Sequence, residues 1–384
     1  MKQQSLKKWI YSAVTIMSVG VLAACSSTTS STTSSSSSSQ VTTASSSSSA
    51  SSSSSESTSS IDWSALPMTE VSLTDEGLTI TEGGTYVLTG STTGGVTVET
   101  DANVRIILAG ATISSSDTAA INVISADNVE IELQDGTENT VKDSSTHSDT
   151  NIEGAIHVEA DLTITGNGSL TVEGNFQDGI VSTDDMVINA GNIKVTAADD
   201  GIRGKDSMTI NGGTIDVTAG GDGIKSTNDT DTTKGYTSNA GGTITVAAGD
   251  DGIKAEMALT IDGGDITVSE SLEALEGTNI TINGGTLDVY GADDAINAAS
   301  TISTDIFIKV TGGDLKVAVG SGDTDAFDAN GDIYISGGTI DVTAQSAFDF
   351  DGTAELTGGT VTVNGEQITQ ITATGPGAGC HGGW

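Results

Sequence analysis

Apolar and polar residues alternate along most of the chain after residue 60, and glycine pairs interrupt the alternation at regular intervals. The stretches "LTIDGGDITVS" (259–269) and "ITINGGTLDVY" (280–290) show the pattern on both sides of the pair. A period of two is typical of strands that bury one face, and Gly-Gly supplies the backbone freedom of a tight bend. The pattern therefore predicts an all-β protein made of many short strands.

A repeat unit underlies this alternation. The segment Asp200-Gly201-Ile202 returns 22 residues later as Asp222-Gly223-Ile224. Alignment on the aliphatic residue gives a column spaced mostly by 21 or 22 residues: Ile121, Ile156, Ile180, Ile202, Ile224, Ile253, Leu275, Ile296, Phe327 and Phe348. One unit cannot close a core, but stacked units can. We therefore expect a parallel β-helix of about ten coils; the alternative, a β-sandwich, would not need so strict a register.

The first 60 residues follow a different pattern. Three lysines, a short apolar stretch and Leu22-Ala23-Ala24-Cys25 occur in the order of a secretory signal, and the last four residues resemble the lipobox of bacterial lipoproteins. The resemblance implies a signal peptide at 1–24, lipid on Cys25 and a lipid-anchored chain on the extracellular face of the cell membrane. An uncleaved N-terminal helix with an incidental cysteine is the alternative.

Composition divides the rest of the chain. Residues 25–60 are almost entirely Ser and Thr after the cysteine, which predicts a disordered linker. Residues 61–143 are strand-like but irregular, so we expect the N-terminal cap and first coils there. Residues 144–365 hold the regular repeats, and 366–384 form a Gly-rich tail. The pair Cys380-His381 in that tail provides too few ligands for a closed zinc site.

The charge of the chain limits its partners. It has 52 acidic residues against 13 Lys and Arg, a formal net charge of −39. A surface this negative repels nucleic acid and anionic lipid, so we expect no nucleic-acid partner and membrane attachment only through the lipid anchor. Calcium, which prefers several carboxylate and carbonyl oxygens, is the expected cofactor.

An acidic residue stands two positions before the aliphatic residue of most units. These residues are Asp178, Asp200, Asp222, Asp251, Glu273, Asp294 and Asp325. Stacked at about 5 Å, neighbouring carboxylates would repel by ~0.8 kcal/mol in bulk water and more where solvent is excluded. Three compensations are open: hydrogen bonds from backbone N–H groups at the bends, salt bridges to nearby bases, and calcium between adjacent rungs.

The position just after the aliphatic residue changes sign along the chain. In three consecutive units it holds a base: Arg203, Lys225 and Lys254. In the following units it holds an acid or an amide: Glu276, Asn297, Asp328 and Asp349. The bases could neutralise nearby rungs of the acidic column, whereas the later units have no such partner.

The acidic end of this column is the preferred local calcium site. The stretch "DTDAFDANGD" (323–332) is expected to stack over "SAFDFDG" (346–352), which would put Asp328 beside Asp349 and Asn330 beside Asp351. Further candidate ligands are Asp323, Asp325 and Asp332. The spacing does not match an EF-hand loop.

The runs "AAINVISADNVEIELQDGTENTVKD" (119–143), "DDGIRGKDSMTINGGTIDVTA" and "DDGIKAEMALTIDGGDITVS" resemble the carbohydrate-binding β-helix proteins exported by polysaccharide-degrading Gram-positive bacteria. The resemblance covers about residues 70–365. It implies a right-handed parallel β-helix related in shape to pectate lyases, calcium bound between coils, and affinity for plant-type polysaccharide, including cellulose and acidic pectin chains.

The residues favour an acidic polysaccharide as the ligand. Calcium on the column could present open coordination positions to uronate carboxylates, with Arg203, Lys225 and Lys254 as direct partners. Exposed aromatic residues that could contact sugar rings are few, with Tyr236 and Tyr290 the main candidates beside Tyr334 and Tyr86. Phe327 and Phe348 occupy core-facing positions. We therefore expect a calcium-dependent polysaccharide-binding protein that is not an enzyme.

Three other functions remain open. A calcium-dependent lyase would use Lys225 or Lys254 as general base, although acidic neighbours raise a lysine's pKa and oppose that role. Hydrolysis by paired carboxylates finds no pair that stands out. A surface adhesin or wall spacer without sugar specificity would show no stabilisation by saccharides.

Overall fold

A computed structural model describes residues 61–322 and 324–374. Within these residues there is one 3-10 turn, Trp63–Ala65, and no α-helix; strands make up the framework, so the all-β prediction is confirmed. No helix in this part of the chain is long and apolar enough to cross a membrane. The predicted signal peptide, Cys25, the linker up to residue 60, Asp323 and the Cys380-His381 pair lie outside the described residues.

The strands of the described residues, in chain order, are β1 (Met68–Leu73), β2 (Leu78–Ile80), β3 (Gly84–Thr92), β4 (Val96–Glu99), β5 (Val104–Ser114), β6 (Ile121–Ser125), β7 (Asn128–Leu133), β8 (Glu138–Lys142), β9 (Gly154–Val158), β10 (Asp161–Gly166), β11 (Ser169–Gly174), β12 (Asp178–Ser182), β13 (Asp185–Ile188), β14 (Asn192–Ala197), β15 (Ile202–Gly204), β16 (Ser207–Ile210), β17 (Thr214–Ala219), β18 (Ile224–Ser226), β19 (Tyr236–Asn239), β20 (Thr243–Ala248), β21 (Ile253–Ile261), β22 (Asp265–Glu270), β23 (Leu275–Ile282), β24 (Thr286–Gly291), β25 (Ile296–Ala298), β26 (Phe307–Val310), β27 (Asp314–Val319), β28 (Asp325–Ala329), β29 (Asp332–Ile335), β30 (Thr339–Thr343), β31 (Ser346–Phe350), β32 (Ala354–Leu356), β33 (Thr360–Val363) and β34 (Glu366–Ile368).

Parallel pairing joins strands one repeat apart into three stacks. The first stack is β1, β3, β5, β7, β10, β13, β16, β19, β21, β23, β26, β29 and β32. The second stack is β5, β8, β11, β14, β17, β20, β22, β24, β27, β30 and β33. The third stack is β2, β4, β6, β9, β12, β15, β18, β21, β23, β25, β28 and β31. Among the described strands, β33 and β34 form the antiparallel pair.

The register of the third stack reproduces the aligned aliphatic column. Ile121 pairs with Ile156, and the pairing continues unit by unit to Phe327 and Phe348. The two phenylalanines are buried and stacked, with ring centroids 5.3 Å apart. Their predicted role in packing is confirmed.

The inward residues of all three stacks meet in one hydrophobic core. Ile164 of the first stack, Val172 of the second and Ile180 of the third are each fully buried in a single repeat. Each such side chain contributes roughly 1.5–3 kcal/mol relative to exposure. Since every repeat adds its own set, stability accumulates along the stacks and the outward side chains are left for other roles.

Glycine is required at two places in a repeat. A Cβ on Gly223, the middle residue of a D-G-I segment, would lie 2.3 Å from Val246 Cγ1 and 2.5 Å from the carbonyl oxygen of Gly252. The second residue of the glycine pair needs positive φ, as at Gly264 with φ +93°. The glycine of the D-G-I segment, such as Gly223, lets the preceding Asp approach the neighbouring repeat. The second glycine of the pair, such as Gly264, makes the bend.

Candidate functional site

The aspartates of the D-G-I segments form a ladder beside the third stack. Asp178, Asp200, Asp222 and Asp251 are buried, and the first three each accept a hydrogen bond from the backbone of the next unit. The N–H of Asp200 donates to Asp178 Oδ1 over 3.2 Å, that of Asp222 to Asp200 Oδ1 over 2.9 Å, and that of Asp251 to Asp222 Oδ1 over 2.9 Å. The first of the three compensations foreseen from the sequence is therefore present.

The residues that follow the aliphatic column also align, and we name them the charged row. In order they are Asn122, His157, Val181, Arg203, Lys225, Lys254, Glu276, Asn297, Asp328 and Asp349. The predicted sign change therefore runs along adjacent strands of one stack. Its basic half ends at Lys254, and its acidic half begins at Glu276.

Each base of the charged row bridges two acids. The contacts are Arg203 Nη2 to Asp178 Oδ2 (2.7 Å) and to Glu153, Lys225 Nζ to Asp200 Oδ2 (2.5 Å) and Asp222 Oδ2 (2.9 Å), and Lys254 Nζ to Asp251 Oδ2 (2.7 Å) and Glu276 Oε2 (2.5 Å). Burial lowers the pKa of Lys225, but the charges and hydrogen bonds of Asp222 and Asp200 outweigh it and raise the pKa. The second compensation is present as well.

At the sign change Asp251 and Glu276 share Lys254, and Glu273 lies against Asp251. Burial, followed by contact with Asp251, raises the pKa of Glu273 to about 9 and that of Glu276 to about 8. The Oδ1 atom of Asp251 is buried and receives no hydrogen bond from a described donor, while its Oδ2 binds Lys254. Carboxyl groups at contact distance need either a shared proton or a cation between them.

The acidic half has carboxylates without bases. The N–H of Asp325 donates to Asp294 Oδ1 over 2.7 Å, and Asp328 pairs with Asp349 in register as predicted. Burial, and then the charges of Asp294, Asp325, Asp349 and Asp351, raise the pKa of Asp328 to about 7. Within residues 61–322 and 324–374, no Lys, Arg or His forms an ion pair with Asp294, Asp328, Asp349 or Asp351.

Asp332 lies apart from this cluster, whereas Asn330 directly follows the pair of Ala329 and Phe350, next to the position of Asp351. Asp332 starts β29 of the first stack, where Oδ1 accepts the N–H of Thr353 at 2.6 Å and Oδ2 accepts the hydroxyl of Tyr334 at 2.7 Å. Asn330 is exposed and lines a cleft with Lys254. Neither side chain is held beside Asp328 by a hydrogen bond in the described part of the chain.

Carboxylate oxygens converge most closely at two places in the described chain. Asp222, Asp250 and Asp251 offer oxygens within 4.8 Å of one another, and so do Asp161, Asp184 and Asp185. The first group contains two predicted ligands, whereas the sequence reasoning missed the second. Its signal is an acidic residue at the start of the first-stack strand in successive units, Asp161 in β10 and Asp185 in β13, a column parallel to the D-G-I one. All donors in both groups are hard oxygens, which fit calcium.

A cleft of about 310 Å³ opens at the sign change. Lys254 and Glu276 lie at its edge, and the two longer repeats contribute Asp229 and Ile302. The remaining lining is mostly polar: Ala255, Glu256, Gly277, Thr278, Ala299, Ser300, Thr301 and Asn330. The two insertions thus flank a concave surface beside the charged row.

The two predicted tyrosines are exposed but belong to other stacks. Tyr236, 39% exposed, lies in β19 of the first stack, and Tyr290, 38% exposed, lies in β24 of the second. Tyr290 borders an open cleft of about 740 Å³ with Val319 and Gln345. The structure therefore brings Arg203, Lys225 and Lys254 together but does not bring the tyrosines into the charged row.

Comparison with known proteins relates the chain to a described family. A family model described as "Carbohydrate-binding domain-containing protein" matches residues 74–326, more than half of the chain. The chain belongs to this family. The match spans the early strands and the whole charged row up to Asn297, and it ends within β28.

Two similar proteins accompany the match of this carbohydrate-binding family member. A "Carbohydrate-binding domain-containing protein" from Acetivibrio thermocellus is 33% identical over 135 residues, which are 33% of this chain and 47% of the relative. The chain thus spans about half the length of that curated relative. A solved structure described as the polysaccharide lyase-like protein from C. thermocellum, in a gadolinium derivative, superposes with a TM-score of 0.53 at 33% identity. It covers 58% of this chain and 95% of its own.

Proposed function

We propose that this protein is a surface module that binds acidic polysaccharide with the help of calcium. Membership of a carbohydrate-binding family supports a polysaccharide as the partner. The observation that carries the proposal is the charged row, in which paired bases give way to carboxylates that form no ion pair with any base of the described residues. A cation held by those carboxylates would also bind the carboxylates of a uronate chain.

The proposed scaffold is a right-handed parallel β-helix. Parallel pairing of each strand with its equivalent one repeat away, in three stacks around one core, supports this architecture. Outward rows on stacked strands suit an extended ligand, because equivalent positions recur at each strand spacing of about 4.8 Å.

The residues present fit a hard cation. The proposed ligands are Asp294, Asp325, Asp328, Asp349 and Asp351 at the acidic half, and Asp222, Asp250 and Asp251 with Glu273 at the sign change. The buried Asp251 Oδ1 without a donor is the specific observation in favour. When bound, calcium would supply positive charge that offsets the clustered carboxylates.

Two of the three bases, Arg203 and Lys225, would mainly stabilise the protein, whereas Lys254 could also contact the ligand. Arg203 and Lys225 are each held by two acids, so a uronate must compete with these contacts. Lys254 borders the cleft at the sign change and is the base best placed to meet a sugar carboxylate. Tyr236 and Tyr290 would contact sugar on the other stacks.

We propose binding rather than catalysis. A lyase needs a base that is neutral near its working pH, but the hydrogen bonds and charges of Asp251 and Glu276 outweigh burial and raise the pKa of Lys254 well above its ordinary value. Lys225 is raised in the same way. A surface adhesin without sugar specificity is the second candidate, because the backbone and the bases already stabilise the basic half without any ligand.

We also propose that the module is held outside the cell by lipid on Cys25 and a Ser/Thr linker. The signal-like order of residues 1–25 and the polysaccharide partner both favour an exported protein. Loss of membrane association on Cys25→Ala, with the polysaccharide affinity of the purified protein unchanged, is the expected outcome.

The proposed function is tested by thermal melting with calcium or EDTA, each with and without polygalacturonate. We expect calcium to raise the melting temperature and polymer to raise it further, with no increase in the absorbance of unsaturated products. The double variant Asp328→Asn/Asp349→Asn should lose both gains, while the exposed second-stack pair Asp288→Asn/Asp341→Asn should keep them. An increase in the absorbance of unsaturated products would show that the protein is a lyase. A melting temperature that changes with neither calcium nor polymer would favour the adhesin.

A further inference from the structure

We propose that the first stack carries a second sugar site, formed by Phe307 and Tyr334, which binds an uncharged pyranose chain. The inference rests on the proposed polysaccharide-binding function but uses a different face of the protein. Phe307 lies in β26 and Tyr334 in the adjacent strand β29. Neither residue belongs to the charged row, which runs along the third stack.

The two rings lie on the same outward face. Phe307 pairs with Asp332, and Lys309 pairs with Tyr334, so the rings lie diagonally, two positions apart, on adjacent parallel strands, and both line one cleft. The alternate residues Ile308 and Ile333 are fully buried in the core, which leaves the rings on the outside. Two rings one strand apart can cover the apolar face of a sugar ring, which a single isolated tyrosine cannot do.

Tyr334 is held in place before any ligand arrives. Its hydroxyl donates to Asp332 Oδ2 at 2.7 Å, and Asp332 Oδ1 accepts the N–H of Thr353 at 2.6 Å. The phenol is therefore tied through one carboxylate to the backbone of the next repeat. A ring fixed in this way loses little conformational freedom when a ligand binds.

Polar side chains surround the rings in a cleft of about 460 Å³. Lys309 and Glu355 flank Tyr334 on the strands before and after it. Both are exposed, and neither makes a hydrogen bond or an ion pair in the described part of the chain, unlike the bases of the charged row. Their groups are free to bond sugar hydroxyls, in a site that combines apolar walls with a few polar groups.

The charge of the cleft selects the ligand. Asp305, Asp332 and Glu355 line it with Lys309 as the only base among its lining residues, so a uronate would meet net repulsion there. A β-linked glucose oligomer has flat faces of C–H groups and hydroxyls around the rim, with no charge. We therefore assign neutral glucan to this cleft and acidic polymer to the charged row.

The test measures binding of the full-length protein to cellohexaose and to polygalacturonate with calcium, by calorimetry. We expect Tyr334→Ala to weaken cellohexaose binding about tenfold, and Phe307→Ala to weaken it similarly, with polygalacturonate binding unchanged. Tyr334→Phe keeps the ring and should retain most of the affinity. Met68→Ala, an exposed apolar residue in β1 of the same stack, is the control and should change neither.

The outcomes separate this inference from the proposed function. If the protein binds polygalacturonate but not cellohexaose, or if Tyr334→Ala and Phe307→Ala bind cellohexaose like the unchanged protein, the aromatic site is refuted and the acidic site stands. If cellohexaose binds and polygalacturonate does not, the aromatic site stands and the proposed ligand of the charged row is wrong. Melting curves of both variants check that lost binding does not reflect lost folding.

Discussion

The two halves of the charged row are built from the same repeat and manage charge in different ways. In the basic half, Lys225 is bonded to Asp200 and Asp222, and the ladder carboxylates also accept backbone N–H groups. In the acidic half, Asp328 pairs in register with Asp349, and neither forms an ion pair with a base in residues 61–322 and 324–374. Burial and neighbouring carboxylates raise the pKa of Asp328 to about 7. The comparison shows that the carboxylates of one ladder can be neutralised by the protein's own bases at one end, whereas at the other end they need protons or a bound cation to offset their repulsion.

Removing a base should have the largest effect. Lys225→Met leaves two buried carboxylates without their partner, and breaking such a buried pair costs about 3–5 kcal/mol of unfolding free energy. The control is Lys194→Met, whose pair with Asp216 on the second stack is exposed and worth about 0–1 kcal/mol. Urea melts give both values. Equal small losses would mean that the basic half is not stabilised by its ion pairs.

The pH dependence should be the next largest effect. Glu273, Glu276 and Asp328 have folded-state pKa values raised to about 9, 8 and 7, above the ordinary values of 4.5 for Glu and 3.8 for Asp. The folded state therefore holds these protons more tightly than the unfolded chain, and this stability is complete below about pH 4 and lost as pH rises through 7 to 9. In EDTA we expect the melting temperature to fall by several degrees between pH 5.5 and 9.

Calcium should reduce this slope, because it competes with protons for the same oxygens. The control is Lys254→Met in EDTA. Loss of the shared base should raise the proton affinity of Glu276 and steepen the dependence near neutral pH. A melting temperature that does not vary over this range would contradict the shared-proton arrangement at the sign change.

The smallest effect should come from single carboxylates, and its sign should differ between the halves. Asp328→Asn removes like-charge repulsion and should stabilise the calcium-free protein by about 0.5–1 kcal/mol. Asp222→Asn removes a partner of Lys225 and should destabilise it. Calcium should stabilise the Asp328→Asn variant less than the unchanged protein. If both Asp328→Asn and Asp222→Asn destabilise the protein in EDTA, the proposed difference between the two halves is wrong.

Much of the scaffold follows from the sequence because the repeat constrains it strongly. A one-residue slip would turn every side chain to the opposite face, so the spacing of Ile202 and Ile224 fixes the register. The sign change from Lys254 to Glu276 is likewise visible in the aligned units and is seen between paired strands. These features need only the chain order and the repeat length.

Contacts across the turns could not be predicted in the same way. Lys254 contacts Asp251 and Glu276, and Glu273 contacts Asp251, an arrangement that depends on the lengths of side chains converging from different positions. The expected use of Asp332 beside Asp328 treated residues close in sequence as close in space, but a new strand begins at Asp332 and turns it towards Tyr334. The alternation of apolar and polar residues predicts the face of the sheet on which a side chain lies, but not the residue that it contacts there.

The ladder also bears on how such a protein can change in length. Each 22-residue unit with Asp at this position carries an acceptor for the unit that follows and a donor N–H for the unit before it. Duplication of such a unit within the basic half would bring both groups with it and leave no buried carboxylate unsatisfied. At Glu273 the series is interrupted, since Asp251 Oδ1 receives no donor there. Gene duplication can therefore extend the basic half by whole units, whereas the boundary with the acidic half stays where the unpaired oxygen lies.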